Sequence, residues 1–272
     1  MALMLFQSTY FLSIEKMKKF TGDKILLAIL ILAFIFRIWG IWWGLPLLLH
    51  LDEPTIVSPA LRMIETGDLN PHYFRYPTLY IYFIAVIILF SKMISWFLWM
   101  DDKVMMIYLL GRFSTAIIST ITVYLTYWLG KFLFSKKVGY FASFTFSIMF
   151  LPIFLSHFIT VDMLALLFLM FSLTFCFEIM RRGKLRDCLL AGFFSGLLIG
   201  TKFNFVILAP LMLSHLFSVR KGEKHPLFYL LSAFLMVGFA FLLTNPYFIF
   251  SFKEYSQGLV SQILLLKGEE VI

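Results

Sequence analysis

Two adjacent carboxylates in an otherwise greasy chain suggest acid–base chemistry. Asp52 and Glu53 stand in His50-Leu51-Asp52-Glu53-Pro54, directly after an apolar run from Ile25 to Leu49 whose only charge is Arg37. Such a run can cross a bilayer, so the pair falls where a transmembrane helix leaves it, a natural position for a base acting on a lipid-borne substrate. Glu53-Pro54 can open a helix, because proline has no N–H to lose in the first turn, and Gly67 can close it in a left-handed cap. Asp52 then lies at a helix N-terminus, where the macrodipole favours the ionised carboxylate that a general base needs. The plainer alternative, that Asp52 only caps the helix, stands level with the catalytic one.

Three later features fall on the same side. Asp162 stands in His157-Phe158-Ile159-Thr160-Val161-Asp162 between two apolar segments. An ionisable residue at that depth is by default a functional candidate, with helix capping as the alternative. Gly200-Thr201-Lys202 marks the turn between two short helices within 188–219 and puts an ammonium at the outer membrane face, where a lipid phosphate can meet it. Snorkelling to headgroups is the bland account of that lysine. Thr244-Asn245-Pro246-Tyr247 ends the last long helix on this side; alone it is a helix stop and an aromatic-belt residue.

The elements that must position these groups are membrane helices. With 61% hydrophobic and 14% charged residues, the 272-residue chain cannot hide its apolar surface in a water-soluble fold. Its mean hydropathy is +0.91. The reading is all-α: a polytopic transmembrane helical bundle with short in-plane helices in its first loop. Apolar segments are expected at 25–49, 78–99, 107–130, 138–157, 160–180, 188–201, 203–219 and 226–250. The formal charge of +8 comes in short clusters between them, which argues for topology rather than nucleic-acid binding. The clusters at the N-terminus, Lys131 to Lys137, Arg181 to Arg186 and Arg220 to Lys224 are placed in the cytoplasm, which sets the polar loops outside. Residues 1–24 read as a cytoplasmic N-terminal segment and 25–272 as one membrane module. Charge parity leaves two accounts: one of the two segments between the first loop and Lys131 does not cross, with 78–99, interrupted by Ser91-Lys92, as the candidate, or Lys131 to Lys137 lies outside against the charge rule. Cys176 and Cys188 have neither metal-ligand nor disulfide spacing.

In order and spacing, Asp52-Glu53-Pro54, Thr66-Gly67-Asp68-Leu69-Asn70-Pro71, Phe74-Arg75-Tyr76-Pro77, Val161-Asp162, Gly200-Thr201-Lys202 and Thr244-Asn245-Pro246-Tyr247 resemble the motifs of the dolichyl-phosphate-mannose protein mannosyltransferase and aminoarabinose transferase superfamily. These are multispanning transferases of the GT-C type, and the resemblance runs from about Met17 onward. It implies a module that continues beyond Ile272. The family often has a second proline after Tyr-Pro where this chain has Thr78, a departure expected to affect loop stiffness more than chemistry.

The resemblance implies transfer of a sugar from a polyprenyl-phosphate donor to a hydroxyl on a protein, lipid or glycan, with inversion, at the outer face of what would be a prokaryotic plasma membrane. Direct displacement needs a base for the incoming hydroxyl and positive charge for the departing phosphate on opposite sides of the sugar. By position Asp52 matches the catalytic base and Glu53 its acidic neighbour. Asp162 is a second acidic site for sugar or acceptor, and Lys202 is the cation for the phosphate, with Arg75 as a second cation. His50, Tyr76, Asn245 and Tyr247 complete the expected substrate-binding set. No cofactor is implied, and a divalent metal is left open. A transporter or a non-catalytic assembly subunit is the alternative. A transporter would place its charges near the midplane or in both leaflets rather than on one face.

Overall fold

The first described helix begins where an acidic cap meets an apolar run. Asp23 accepts the Leu26 N–H at 3.4 Å and opens α1 (Lys24–Ile38). This is a computed structural model that describes residues 23–45, 50–98, 103–220 and 226–267. The expected N-terminal segment and Lys221 to Lys224 therefore lie almost wholly outside the described residues. Helix α1 stops well before Leu49, because Gly40 and Gly44 follow at φ +88° and +76°, left-handed conformations that favour glycine and turn the chain.

Helix α2 (Asp52–Thr66) opens at the expected aspartate and closes on Gly67 at φ +75°. It buries Ile56, Val57, Ala60 and Met63, a single stripe at helical spacing, and it runs through Pro59 unbroken. Helix α3 (Leu79–Leu98) lies antiparallel to the first half of α4 (Lys103–Leu133). Tyr80 Oη meets Thr115 Oγ1 at 3.1 Å, and a Cβ on Gly111 would sit 3.9 Å from Ile84 Cδ1. The described apolar part of α3, Leu79–Ile94, is shorter than a span, and α3 is the segment named as the candidate for not crossing because Ser91-Lys92 interrupts it.

A single span was expected at 138–157; the chain instead forms α5 (Lys136–Ile148) and α6 (Phe150–Ser156), bent by 58°. Pro152 explains the break, since it offers no N–H to the Ile148 carbonyl four residues back and its ring crowds that position. Arg37, fully buried, takes up carbonyls beside the break: it donates to Phe146 O at 3.2 Å and Ser147 O at 3.0 Å, and also to Ala33 O and Ser119 Oγ. In a dry environment those acceptors would otherwise be unmatched.

Helix α7 (Val161–Arg182) and α8 (Leu185–Thr201) form an antiparallel pair pinned by Ser172 Oγ and Ser195 Oγ at 2.7 Å. A short 3-10 turn (Phe205–Ile207) leads into α9 (Leu208–Arg220). The chain returns through α10 (Pro226–Thr244), breaks at Asn245-Pro246, and ends in α11 (Tyr247–Phe250) and α12 (Phe252–Lys267). The expected segment 226–250 is thus two helices, because Pro246 cannot continue the hydrogen-bond ladder. Helices α8 and α10 run parallel in intimate contact along Gly192, Gly196 and Gly200. Added Cβ atoms there would lie 2.2 Å from Ala233 O, 2.4 Å from Val237 O and 2.5 Å from Thr244 Oγ1. Small residues every fourth position let membrane helices approach this closely.

The result is an all-α membrane bundle. Val104–Leu133, Val161–Arg182 and Pro226–Thr244 are long and apolar enough to cross, and the bent α5–α6 pair gives a fourth span if taken as one. Polar groups sort to its two ends. At one, Asp23 meets Lys136 at 3.1 Å and accepts from the Tyr140 hydroxyl, while Arg181 lies over the Phe132 ring at 5.0 Å. The candidate site residues gather at the other.

Candidate functional site

Asp52 is the first residue of α2, and the helix end is not closed by its side chain. Its backbone is engaged: the N–H donates to His50 Nδ1 at 3.3 Å, and its carbonyl accepts the Thr55 hydroxyl at 2.7 Å. Its half-exposed carboxylate has no hydrogen-bond partner among the described residues. The capping alternative therefore finds no hydrogen bond to support it. His50 is occupied in holding this turn, with its ring stacked on Phe158 at 4.4 Å.

Glu53 differs from its neighbour in every respect. It is fully buried, and Arg112 donates to both its oxygens, Nε to Oε1 at 2.7 Å and Nη2 to Oε2 at 2.6 Å. The Ile159 N–H adds a third bond to Oε1 at 3.0 Å. Arg112 spends its remaining group on the Ile41 and Trp43 carbonyls at 2.7 and 2.8 Å. One carboxylate thus joins α2, α4, the turn after α1 and the segment leading to Asp162. Arg112 did not figure among the expected residues, although a lone arginine in an apolar helix was the available signal. Beside it opens a groove of about 290 Å³ lined by Trp39, Trp43, Phe154, His157 and Phe158.

Asp162 occupies the first turn of α7, and Lys202 follows the last residue of α8; they meet at 2.7 Å, partly exposed. Lys202 therefore turns to a carboxylate of its own chain. Tyr76 connects this pair to Asp52 electrostatically. Burial, and then the negative charge of Asp52 and Asp162, push its phenol up to about 12, so it remains an O–H donor at neutral pH. Arg75 acts on Tyr73 and Tyr76 through its charge and makes no ion pair among the described residues.

Asn245 is fully buried and spent on the protein. Its Oδ1 accepts the Thr78 N–H at 2.6 Å and the Tyr255 hydroxyl at 3.2 Å, and its Nδ2 donates to Phe241 O at 3.1 Å and Gly200 O at 3.4 Å. This leaves no obvious position for a substrate and ties the loop after Tyr76-Pro77 to the turn before Lys202. Thr78 also donates through its hydroxyl to Thr244 O at 2.8 Å. A proline at 78 could make neither bond, so this departure from the family pattern reaches further than loop stiffness. Tyr247 has its ring edge-on to Phe250 at 6.3 Å and acts electrostatically on Tyr82. No group of three His, Cys, Asp or Glu side chains among the described residues could hold a metal ion.

The dolichyl-phosphate-mannose-protein mannosyltransferase family matches residues 91–244, more than half of the chain. The chain belongs to that family. This makes it a membrane glycosyltransferase of the GT-C type. No curated protein and no solved structure gives a significant match. Asp162, Lys202 and Arg112 lie inside the matched segment of this mannosyltransferase-family chain, whereas Asp52, Glu53 and Tyr76 precede it.

Proposed function

We propose that the protein transfers a sugar from a polyprenyl-phosphate carrier to a hydroxyl acceptor, with inversion, at the extracytoplasmic face, and that residues 25–272 belong to the catalytic module. Asp52 takes the proton of the acceptor hydroxyl as its oxygen attacks the anomeric carbon. The bond from that carbon to the phosphate oxygen breaks, and its electron pair leaves with the carrier phosphate. Lys202, Arg75 and the protonated Tyr76 phenol receive that charge, and donors placed where charge develops lower the barrier. Asp162 orients Lys202 and is available to sugar hydroxyls. Glu53, with both oxygens engaged, acts by position.

The observation that carries this reading is the carboxylate of Asp52, without a hydrogen-bond partner among the described residues, at a helix start on the same end of the bundle as the Lys202 ammonium. Partial exposure leaves that carboxylate accessible to an acceptor hydroxyl. Charge placement supports the outer face: Lys136 and Arg181 gather at the opposite end. The test is Asp52→Asn in the purified full-length protein, measured as transfer of radiolabelled sugar from polyprenyl phosphate. Loss of a general base lowers the rate by roughly 10²–10⁴. Wild-type turnover by a folded variant would reject the assignment.

A further inference from the structure

Away from the proposed chemistry, the first loop is strapped to α12. Asn70 Nδ2 donates to Ser251 Oγ at 3.1 Å, the Phe74 ring packs on Tyr255 with centroids 5.0 Å apart, and a Cβ on Gly258 would lie 2.7 Å from the Phe74 backbone. At the solvent edge of this seam stands His72. Its Nδ1 lies 2.9 Å from Glu254 Oε2 on α12 and its Nε2 3.1 Å from Asp68 Oδ2 in its own loop. An ionised carboxylate only accepts, so both contacts are hydrogen bonds at once only when both ring nitrogens carry protons. The backbone is prepared for this bridge. His72 sits at φ +47°, a conformation histidine tolerates better than most residues, and two side-chain turns hold it there: Asp68 Oδ1 accepts the Asn70 N–H at 2.9 Å and Asn70 Oδ1 accepts the His72 N–H at 3.1 Å.

We propose that His72 is a proton-operated clamp: its imidazolium, bridging Asp68 and Glu254, fastens the segment leading to Arg75 and Tyr76 onto α12, and its deprotonation loosens that segment. The charged groups around it are Asp68 from its loop, Glu254 from α12, and Arg62 from α2, which acts on Asp68 and donates to Pro71 O. Glu254, then Asp68, hold the imidazole above its ordinary 6.5. A raised folded-state value means that the clamp is fully present below 6.5 and is lost as pH rises through the higher value. On the acid side the Asn70 N–H, then His72, hold Asp68 below its ordinary 3.8, so loss there comes only at lower pH.

The clamp's effect on transfer rests on the proposed transferase reading; its existence does not. Amide hydrogen exchange of the full chain in lipid nanodiscs reads it directly, comparing each variant with wild type at the same pH. His72→Asn keeps a residue tolerant of positive φ but removes the charge, so peptides covering 68–76 should exchange roughly three- to tenfold faster than wild type at pH 5.5, the scale of two exposed ion pairs in one network. At pH 9 the two should coincide. Glu254→Gln should match His72→Asn, and His72→Arg should retain protection at both pH values. Equal exchange at pH 5.5, or a wild-type advantage undiminished at pH 9, would overturn the clamp. If exchange follows this pattern while no sugar is transferred, the transferase reading fails and the clamp stands.

Discussion

Breaking the Glu53–Arg112 pair tests how the site is held. Both side chains are essentially unexposed, and between them they make five hydrogen bonds: three onto Glu53 oxygens, two of them from Arg112, and two from Arg112 to the carbonyls of Ile41 and Trp43. Glu53→Gln keeps the shape but leaves a buried guanidinium without its counter-charge and turns an amide N–H₂ toward a donor. Removing one member of such a pair costs about 3–5 kcal/mol, whereas replacing both by apolar groups of similar volume is often close to neutral. Glu53→Gln and Arg112→Met should each fall in that range, and the Glu53→Leu/Arg112→Met protein should be less destabilised than the sum of the two corresponding single changes by at least about 2 kcal/mol. Reversible unfolding in mixed detergent micelles measures the cycle. The double variant should nevertheless remain slow in sugar transfer, because the Ile159 N–H loses the acceptor that sets the approach to Asp162. A loss under about 1 kcal/mol for Glu53→Gln, or strict additivity, would refute the positioning role.

Two further outcomes follow from the same contacts. Lys202→Gln removes a charge-assisted hydrogen bond worth about 1.5–3 kcal/mol, so donor KM should rise or kcat fall by roughly 10- to 100-fold, while a defect confined to acceptor KM would reject the phosphate role. Gly196→Ala places a methyl 2.4 Å from Val237 O and should cost about 1–3 kcal/mol through overpacking between α8 and α10. Gly238→Ala on the same α10, where nothing lies within 4 Å, serves as the control and should be neutral or stabilising by up to about 1 kcal/mol.

Local signals in the chain announced their own consequences. Asp52-Glu53-Pro54 opens α2 and Gly67 closes it, and Gly200-Thr201-Lys202 ends α8 before the turn into α9, as its motif announced. Pairings across the bundle were less legible. Nothing near position 112 says that its charge belongs to Glu53, 59 residues away, and nothing near Asn245 names Thr78, 167 residues away, as its donor. The Gly192, Gly196, Gly200 spacing was readable as a close-packing stripe, but its partner α10 was not. The break at Met149 could have been read from Pro152, had the apolar run not looked continuous in hydropathy. Strings of apolar residues predict where helices are; they do not state which polar atoms must find one another in a dry interior.

The proposed site follows a pattern in which free and fully bonded polar groups stand side by side. Asp52, with an open carboxylate, adjoins Glu53, with none of its oxygens open. Asp162 follows three residues after the Ile159 N–H that Glu53 fixes, Lys202 follows two residues after the Gly200 carbonyl that Asn245 binds, and Tyr76 precedes by two residues the Thr78 N–H that Asn245 accepts. A buried polar group is stable only when paired, so Glu53 and Asn245 are obliged to act as fixed nodes. Their partly exposed neighbours on the same short backbone segments inherit that rigidity without giving up hydrogen-bonding capacity. In the proposed mechanism, preorganisation of this kind would let an ammonium, a phenol and a carboxylate from distant parts of the chain face one substrate with little rearrangement. It also explains why α12 matters to a site it does not enter: Tyr255 completes the Asn245 node, and Glu254, three ångströms from His72, governs how firmly the Arg75-Tyr76 segment is held against it.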